Sequence, residues 1–198
     1  MAYAWRYLRR PIFDGSRDVL DMTATVEAAA RQGFYLSPVY RRRERNHARL
    51  LLMIDQGGSM APLHRFTRDL AETALDDSRL EQIEVVYFHN VPGEYLYGDA
   101  YLTHPLKQEE VLGRCMNETS VLIVSDAGAA RGYRKLPRIQ ATTEALLQLK
   151  QRTSLIAWLN PMPQARWTGA SAQIIAHLAP MCQMDQDGLS RAIDIVRG

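Results

Sequence analysis

The sequence predicts an α/β fold: a three-layer α/β/α sandwich around a mostly parallel central sheet. Two stretches and one alternation carry that reading. Leu50, Leu51, Leu52, Met53 and Ile54 form an uninterrupted apolar run stopped by Asp55-Gln56-Gly57-Gly58. So short a run, closed by a carboxylate and two glycines, reads as a strand buried on both faces. Ser120 to Val124 repeats the pattern and runs into Ser125-Asp126-Ala127-Gly128. Between and beyond these runs, apolar residues recur at helical spacing. Strands that alternate with helices imply parallel pairing through right-handed crossovers.

Taken in order, residues 1–48 read as a basic extension packing on a domain that spans 49–198. Ten arginines and five acidic residues precede position 50, against a formal net charge of +2 for the whole chain. Met22, Val26, Ala29 and Ala30 share a helical face, and Gly33 is a suitable stop. Phe34-Tyr35-Leu36 reads as extended, interrupted by Pro38. Arg41-Arg42-Arg43-Glu44-Arg45 is either a solvated connector or a phosphate-facing patch, and the lack of an accompanying aromatic surface favours the connector.

After Asp55, Pro62 suits a first helical turn, and Leu63, Phe66, Leu70 and Ala74 predict a helix over 63–75. Val85 to Phe88 predicts a strand. The Val91–Pro105 segment carries Tyr95, Tyr97 and Tyr101, which suits an edge hairpin as well as a binding loop. Val111, Leu112, Cys115 and Met116 mark a short helix. A longer helix begins near Leu136, with Ile139, Thr143, Leu146 and Leu147 assigned to its inner face. Leu155 to Leu159 predicts a strand ended by Asn160-Pro161. Met181–Met184 predicts a weaker one, and Leu189, Ala192, Ile193 and Val196 place a last helix.

No apolar run approaches the roughly 20 residues that span a bilayer, and the N-terminal stretch lacks the apolar core of a signal peptide. Cys115 and Cys182 are isolated in apolar surroundings, as in reduced, buried cysteines. The expectation is a cytoplasmic protein that does not enter membranes.

The polar turn after the first buried strand suits a hard cation. Asp55 at a strand end and Ser59 one short loop away supply the oxygen ligands that Mg²⁺, Mn²⁺ or Ca²⁺ prefer. The plainer reading is that Asp55 shapes the turn or caps the helix.

The pairing of Asp55-Gln56-Gly57-Gly58-Ser59 with a later strand ending in Asp126 resembles the metal-ion-dependent adhesion site of von Willebrand factor A (vWA) domains. In that family an Asp-x-Ser-x-Ser strand end, a Thr from a middle loop and a later Asp surround a cation. The resemblance implies Asp55, Ser59, Thr103 and Asp126 as metal ligands, with Mg²⁺, Mn²⁺ or Ca²⁺ bound. Gly57 stands where the family has its first Ser. A ligand is therefore lost, and the site is expected to bind weakly or be degenerate; a serine restored at 57 is expected to tighten it. Asp126-Ala127-Gly128 with Arg131-Gly132, then Trp158-Leu159-Asn160-Pro161, and Trp5-Arg6-Tyr7 with Gly33-Phe34, resemble the CoxE-like subgroup. That subgroup implies a non-catalytic protein-binding module working with a MoxR-type AAA+ ATPase in protein assembly or remodelling.

Two other functions compete. Two carboxylates and a serine at a sheet edge suit metal-dependent hydrolysis. However, the sequence has no His-rich metal spacing, nucleophile elbow or phosphate loop with its Lys. His64, His89 and His104 read as hydrogen-bonded structural residues. Nucleic-acid binding would rest on the arginine-rich segment 41–49.

Overall fold

Leu50–Ile54 sits in the middle of a seven-stranded sheet in the computed structural model, which describes residue 5 and residues 7–34, 37–76 and 80–198. The strands are β3 (Arg49–Asp55), β4 (Gln82–Phe88), β5 (Tyr95–Tyr97), β6 (Pro105–Lys107), β7 (Thr119–Val124), β8 (Ile156–Asn160) and β9 (Met181–Gln183), in the order β6-β5-β4-β3-β7-β8-β9. Pairing is parallel from β4 through β3, β7 and β8 to β9, and antiparallel where β5 joins β4 and β6 joins β5. The fold is a three-layer α/β/α sandwich, as the alternation of strands and helices predicts.

Each residue of the β3 run has a place in a core. Leu50, Leu52 and Ile54 face one side with Leu70, Ala71 and Ala74 of α2 (His64–Leu75) and Leu189, Ala192, Ile193 and Val196 of α6 (Gln186–Arg197). Leu51 and Met53 face the other side, with Val111 and Leu112 of α3 (Gln108–Gly113), Leu146 and Leu149 of α4 (Leu136–Arg152), and Ala172 and Ile175 of α5 (Ser171–Leu178). A strand with helices on both faces needs apolar residues at every position, which is why its sequence shows no alternation. Trp5 joins the first core, and its indole N–H donates to Thr73 Oγ1 at 3.2 Å.

Two compact units emerge: Arg10–His47, and Met1–Arg9 together with Ala48–Gly198. The smaller unit pairs β1 (Pro11–Leu20) with β2 (Tyr40–Asn46) in an antiparallel ribbon and carries α1 (Met22–Gln32). Asp21 caps α1 by accepting from the Ala24 N–H, and Gly33 closes it at φ 78°. None of its residues is buried, so the apolar face of Met22 and Val26 lies exposed. The arginine run is solvated, as the connector reading expects, but it forms a strand, β2, instead of an irregular connector. Its side chains are exposed on both faces of the ribbon, so period-two patterning is absent. The extended reading of 34–36 falls largely outside the described residues.

Three further departures concern helices and thiols. Gly58–Leu63 is a 3₁₀ segment leading into α2. The inner face of α4 is Arg138, Thr142, Ala145, Leu146 and Leu149, while Leu147 is 55% exposed. The phase therefore differs from the predicted one, and it places an arginine on the buried stripe. Cys115 and Cys182 are both free thiols, half-buried and buried respectively. Burial pushes Cys115 up to about 11 and raises Cys182 as well. Among the described residues no helix is long and apolar enough to cross a membrane.

Candidate functional site

The chain enters the sheet at β3, builds outward through β4, β5 and β6, then crosses to the other side of β3 for β7, β8 and β9. The order β5-β4-β3-β7-β8-β9 is that of a doubly wound sheet, whose crevice opens at the carboxyl ends where the winding reverses. Here that point lies between β3 and β7. Ile54 pairs with Val124, so Asp55 and Asp126 emerge at the same edge on neighbouring strands.

Asp55 is fully buried, at 0% exposure. Its Oδ1 accepts the backbone N–H of Gly57 at 2.7 Å and of Asn90 at 2.8 Å. Its Oδ2 accepts the Ser125 hydroxyl at 2.6 Å. One carboxylate thereby ties together the turn after β3, the turn after β4 and the end of β7. Burial pushes its pKa up, against the downward pull of the Ser125, Gly57 and Asn90 hydrogen bonds, and the nearby Asp126 charge adds to the rise.

Asp126 is 2% exposed and organises its own loop. Oδ1 accepts the Gly128 N–H at 2.9 Å and Oδ2 the Ala130 N–H at 3.2 Å, while its backbone carbonyl accepts from Asn160 Nδ2 at 2.9 Å. The Trp158 indole N–H donates to the Ser125 carbonyl at 2.8 Å from the next strand. The turn that results holds Ala127 at φ 50° and Gly128 at φ 82°. Left-handed geometry is costly for alanine, on the order of 1–2 kcal/mol, and such strain clusters at functional edges.

The predicted ligands are only partly gathered. Asp55 and Asp126 follow neighbouring strands at the same edge, but Asp55 is level with Ser125 and bonded to it. Ser59 follows in the 3₁₀ segment, half-exposed, with no hydrogen bond from its hydroxyl to either carboxylate among the described residues. Thr103 goes elsewhere. Tyr87 pairs with Tyr97 antiparallel, so β5 leads the chain away from the carboxyl edge and puts 98–104 at the tip of an edge hairpin. There Thr103 Oγ1 and N–H both donate to Asp99 Oδ2, at 3.1 and 3.0 Å. His104 Nδ1 lies 3.1 Å from the same oxygen.

The residues present do not make a ready cage for a divalent ion. All four carboxylate oxygens already accept hydrogen bonds, and among the described residues no cluster of three His, Cys, Asp or Glu stands ready to hold one. Position 57 is tight for the missing serine. A Cβ there would lie 2.7 Å from Asn90 Oδ1, closer than real Cβ atoms come, and a tight 3.0 Å from Asp55 Oδ1, so the Asn90 side chain would have to move. The expectation that a serine at 57 tightens cation binding therefore meets a steric obstacle.

Asn90 and Arg138 are components of this edge that the sequence does not single out, while Ser125 and Asn160 read there only as strand ends and motif residues. Asn90 sits at φ 63°, a conformation asparagine tolerates better than most residues. Its side-chain oxygen accepts from Arg138 Nη2 at 3.3 Å. A signal for Arg138 was available: stepping back from Leu149, Leu146, Ala145 and Thr142 at helical spacing lands on it.

No family model matches the chain, and no curated protein matches it in sequence.

Proposed function

We propose that this chain is a non-catalytic protein-binding module of the vWA type, with a degenerate adhesion site, acting with a MoxR-type AAA+ ATPase in protein assembly or remodelling. The observation that carries the reading is the meeting of Asp55 and Asp126 at the switch point, each holding loops through backbone hydrogen bonds. Such an edge offers a rigid, shaped surface made of three loops, which suits recognition. Hydrolysis is less well supported. A buried carboxylate that already accepts three hydrogen bonds is poorly placed to take a proton from a water. Weak or absent dependence on Mg²⁺ or Mn²⁺ follows from the same hydrogen bonds and from Gly57.

The test is affinity capture from native lysate, with Mg²⁺ and with a chelator, by the wild type and by Gly58→Trp. Gly58 is exposed, with nothing near a Cβ built on it, so the tryptophan blocks the edge without disturbing the fold. A partner retained in both buffers and lost with Gly58→Trp is the expected result. Equal capture by both proteins contradicts the reading.

A second reading keeps one observation in its favour: Arg41, Arg42, Arg43 and Arg45 are all exposed on β2. A nucleic-acid role would give affinity that falls steeply with salt, and a titration with duplex DNA and single-stranded RNA separates it from the first.

A further inference from the structure

Beside the paired carboxylates lies a pocket of about 240 Å³ lined by Asn90, Val91, Arg131, Lys135, Pro137 and Arg138. Three of the six are cations and none is an acid. Arg138, on the buried stripe of α4, is 7% exposed. Among the described residues its one hydrogen bond, at 3.3 Å, goes to the neutral side-chain oxygen of Asn90. Among the described residues no carboxylate approaches the guanidinium within the 4.0 Å of an ion pair, and Arg131 and Lys135 on the exposed rim form none either. A guanidinium buried without a counter-charge is unfavourable unless something anionic meets it.

The neighbouring backbone is shaped around this group. A Cβ at Gly128 would run into Arg138 Nη1, so the glycine admits the guanidinium as well as allowing the turn. Asn90 is fixed twice, by its N–H to Asp55 Oδ1 and by its side-chain oxygen to Arg138. The buried carboxylate thus positions the residue that positions the cation.

We infer that this pocket binds a carboxylate from an acidic segment of the protein partner, with Arg138 as the fixed two-pronged donor and Arg131 and Lys135 drawing the segment in from the rim. This rests on the protein-binding reading above and adds the partner's chemistry to it. Guanidinium geometry matches a carboxylate edge-on. A phosphate is less well served, because the amides a phosphate-cradling loop would present, those of Gly128 and Ala130, already donate to Asp126. Recognition at this edge therefore favours an acidic partner, the reverse of what two exposed aspartates would select.

The test is fluorescence anisotropy of the full chain with fluorescein-labelled hexaglutamate and hexalysine, and with inorganic phosphate as competitor. Hexaglutamate should bind and hexalysine should not. The rim double variant Arg131→Glu/Lys135→Glu and Arg138→Gln should each weaken hexaglutamate binding about tenfold or more. Arg138→Lys keeps the charge and should still lose about tenfold, since an ammonium cannot grip both oxygens. Should Arg138→Gln fail to fold, the rim variant carries the test alone, because both its residues are exposed. Hexaglutamate binding unchanged in the rim variant, or displaced by millimolar inorganic phosphate, overturns the assignment. Partner capture that persists while hexaglutamate binds no better than hexalysine overturns the pocket and leaves the protein-binding reading standing. Peptide binding without capture of any partner does the opposite.

Discussion

Asp55 joins three segments that are far apart in sequence, through Gly57, Asn90 and Ser125. Asp55→Ala strands three donors, two of them buried and one, the Asn90 N–H, partly buried. Each lost partner costs about 1–3 kcal/mol, so a loss of roughly 3 kcal/mol or more is expected in urea unfolding. Asp55→Asn keeps an oxygen for the two N–H groups and turns its amide toward the Ser125 hydroxyl, which is able to accept, and should cost about 1 kcal/mol. The two variants also separate by pH. The Asp55 carboxyl has a raised pKa in the folded chain, chiefly through burial, so the folded state holds the proton to higher pH than the unfolded state. Its contribution is fully present below the ordinary carboxylate pKa and is lost as pH rises through the raised value. The stability of the wild type relative to Asp55→Asn should therefore fall across that window and level off above it. A difference that grows with pH would contradict the assignment.

At the scale of elements, the hairpin tip between β5 and β6 is organised by Asp99, whose carboxylate accepts from the N–H groups of Tyr101, Thr103 and His104. Burial works against its ionised form, but the His104, Thr103 and Tyr101 hydrogen bonds outweigh it and hold Asp99 at about 2. A depressed carboxylate stabilises above its unfolded pKa and loses that effect as pH falls toward the folded value. Amide exchange at residues 98–104 should stay slow relative to Asp99→Asn at neutral pH and converge with it as pH approaches about 2. Convergence already at neutral pH would mean the carboxylate does not order the tip. The same hairpin explains why Thr103 was misplaced from sequence. Its distance from Asp55 is set by the antiparallel turn of β5, which a threonine ahead of a helix-like segment does not encode. The phase of α4 was misread for a related reason. Leu147 is apolar yet outward and Ile139 only half-buried, while Arg138 and Thr142 are polar yet inward. β1 and β2 carry no alternation because neither face of the ribbon is covered.

For the whole molecule, the layers were legible because β3, β7 and β8 are covered on both sides. Their sequences are then continuous apolar runs that end in Asp55, in Ser125-Asp126 and in Asn160. The carboxyl edge was legible for the same reason, since polar residues end each run where the covering helices stop. What the sequence concealed was the state of those residues. Carboxylates that look like free ligands in a string are occupied by backbone N–H groups and a serine hydroxyl of the surrounding loops, and the exposed groups beside them include Arg131 and Lys135. The central claim is that the β3–β7 carboxyl edge is the recognition surface. The most direct measurement places a photo-crosslinking benzoylphenylalanine at Gly58, on that edge, or at Glu118, exposed at the opposite end of β7. Irradiation in living cells should give a covalent protein adduct from position 58 and none from position 118. An adduct from 118 with none from 58 would contradict the account.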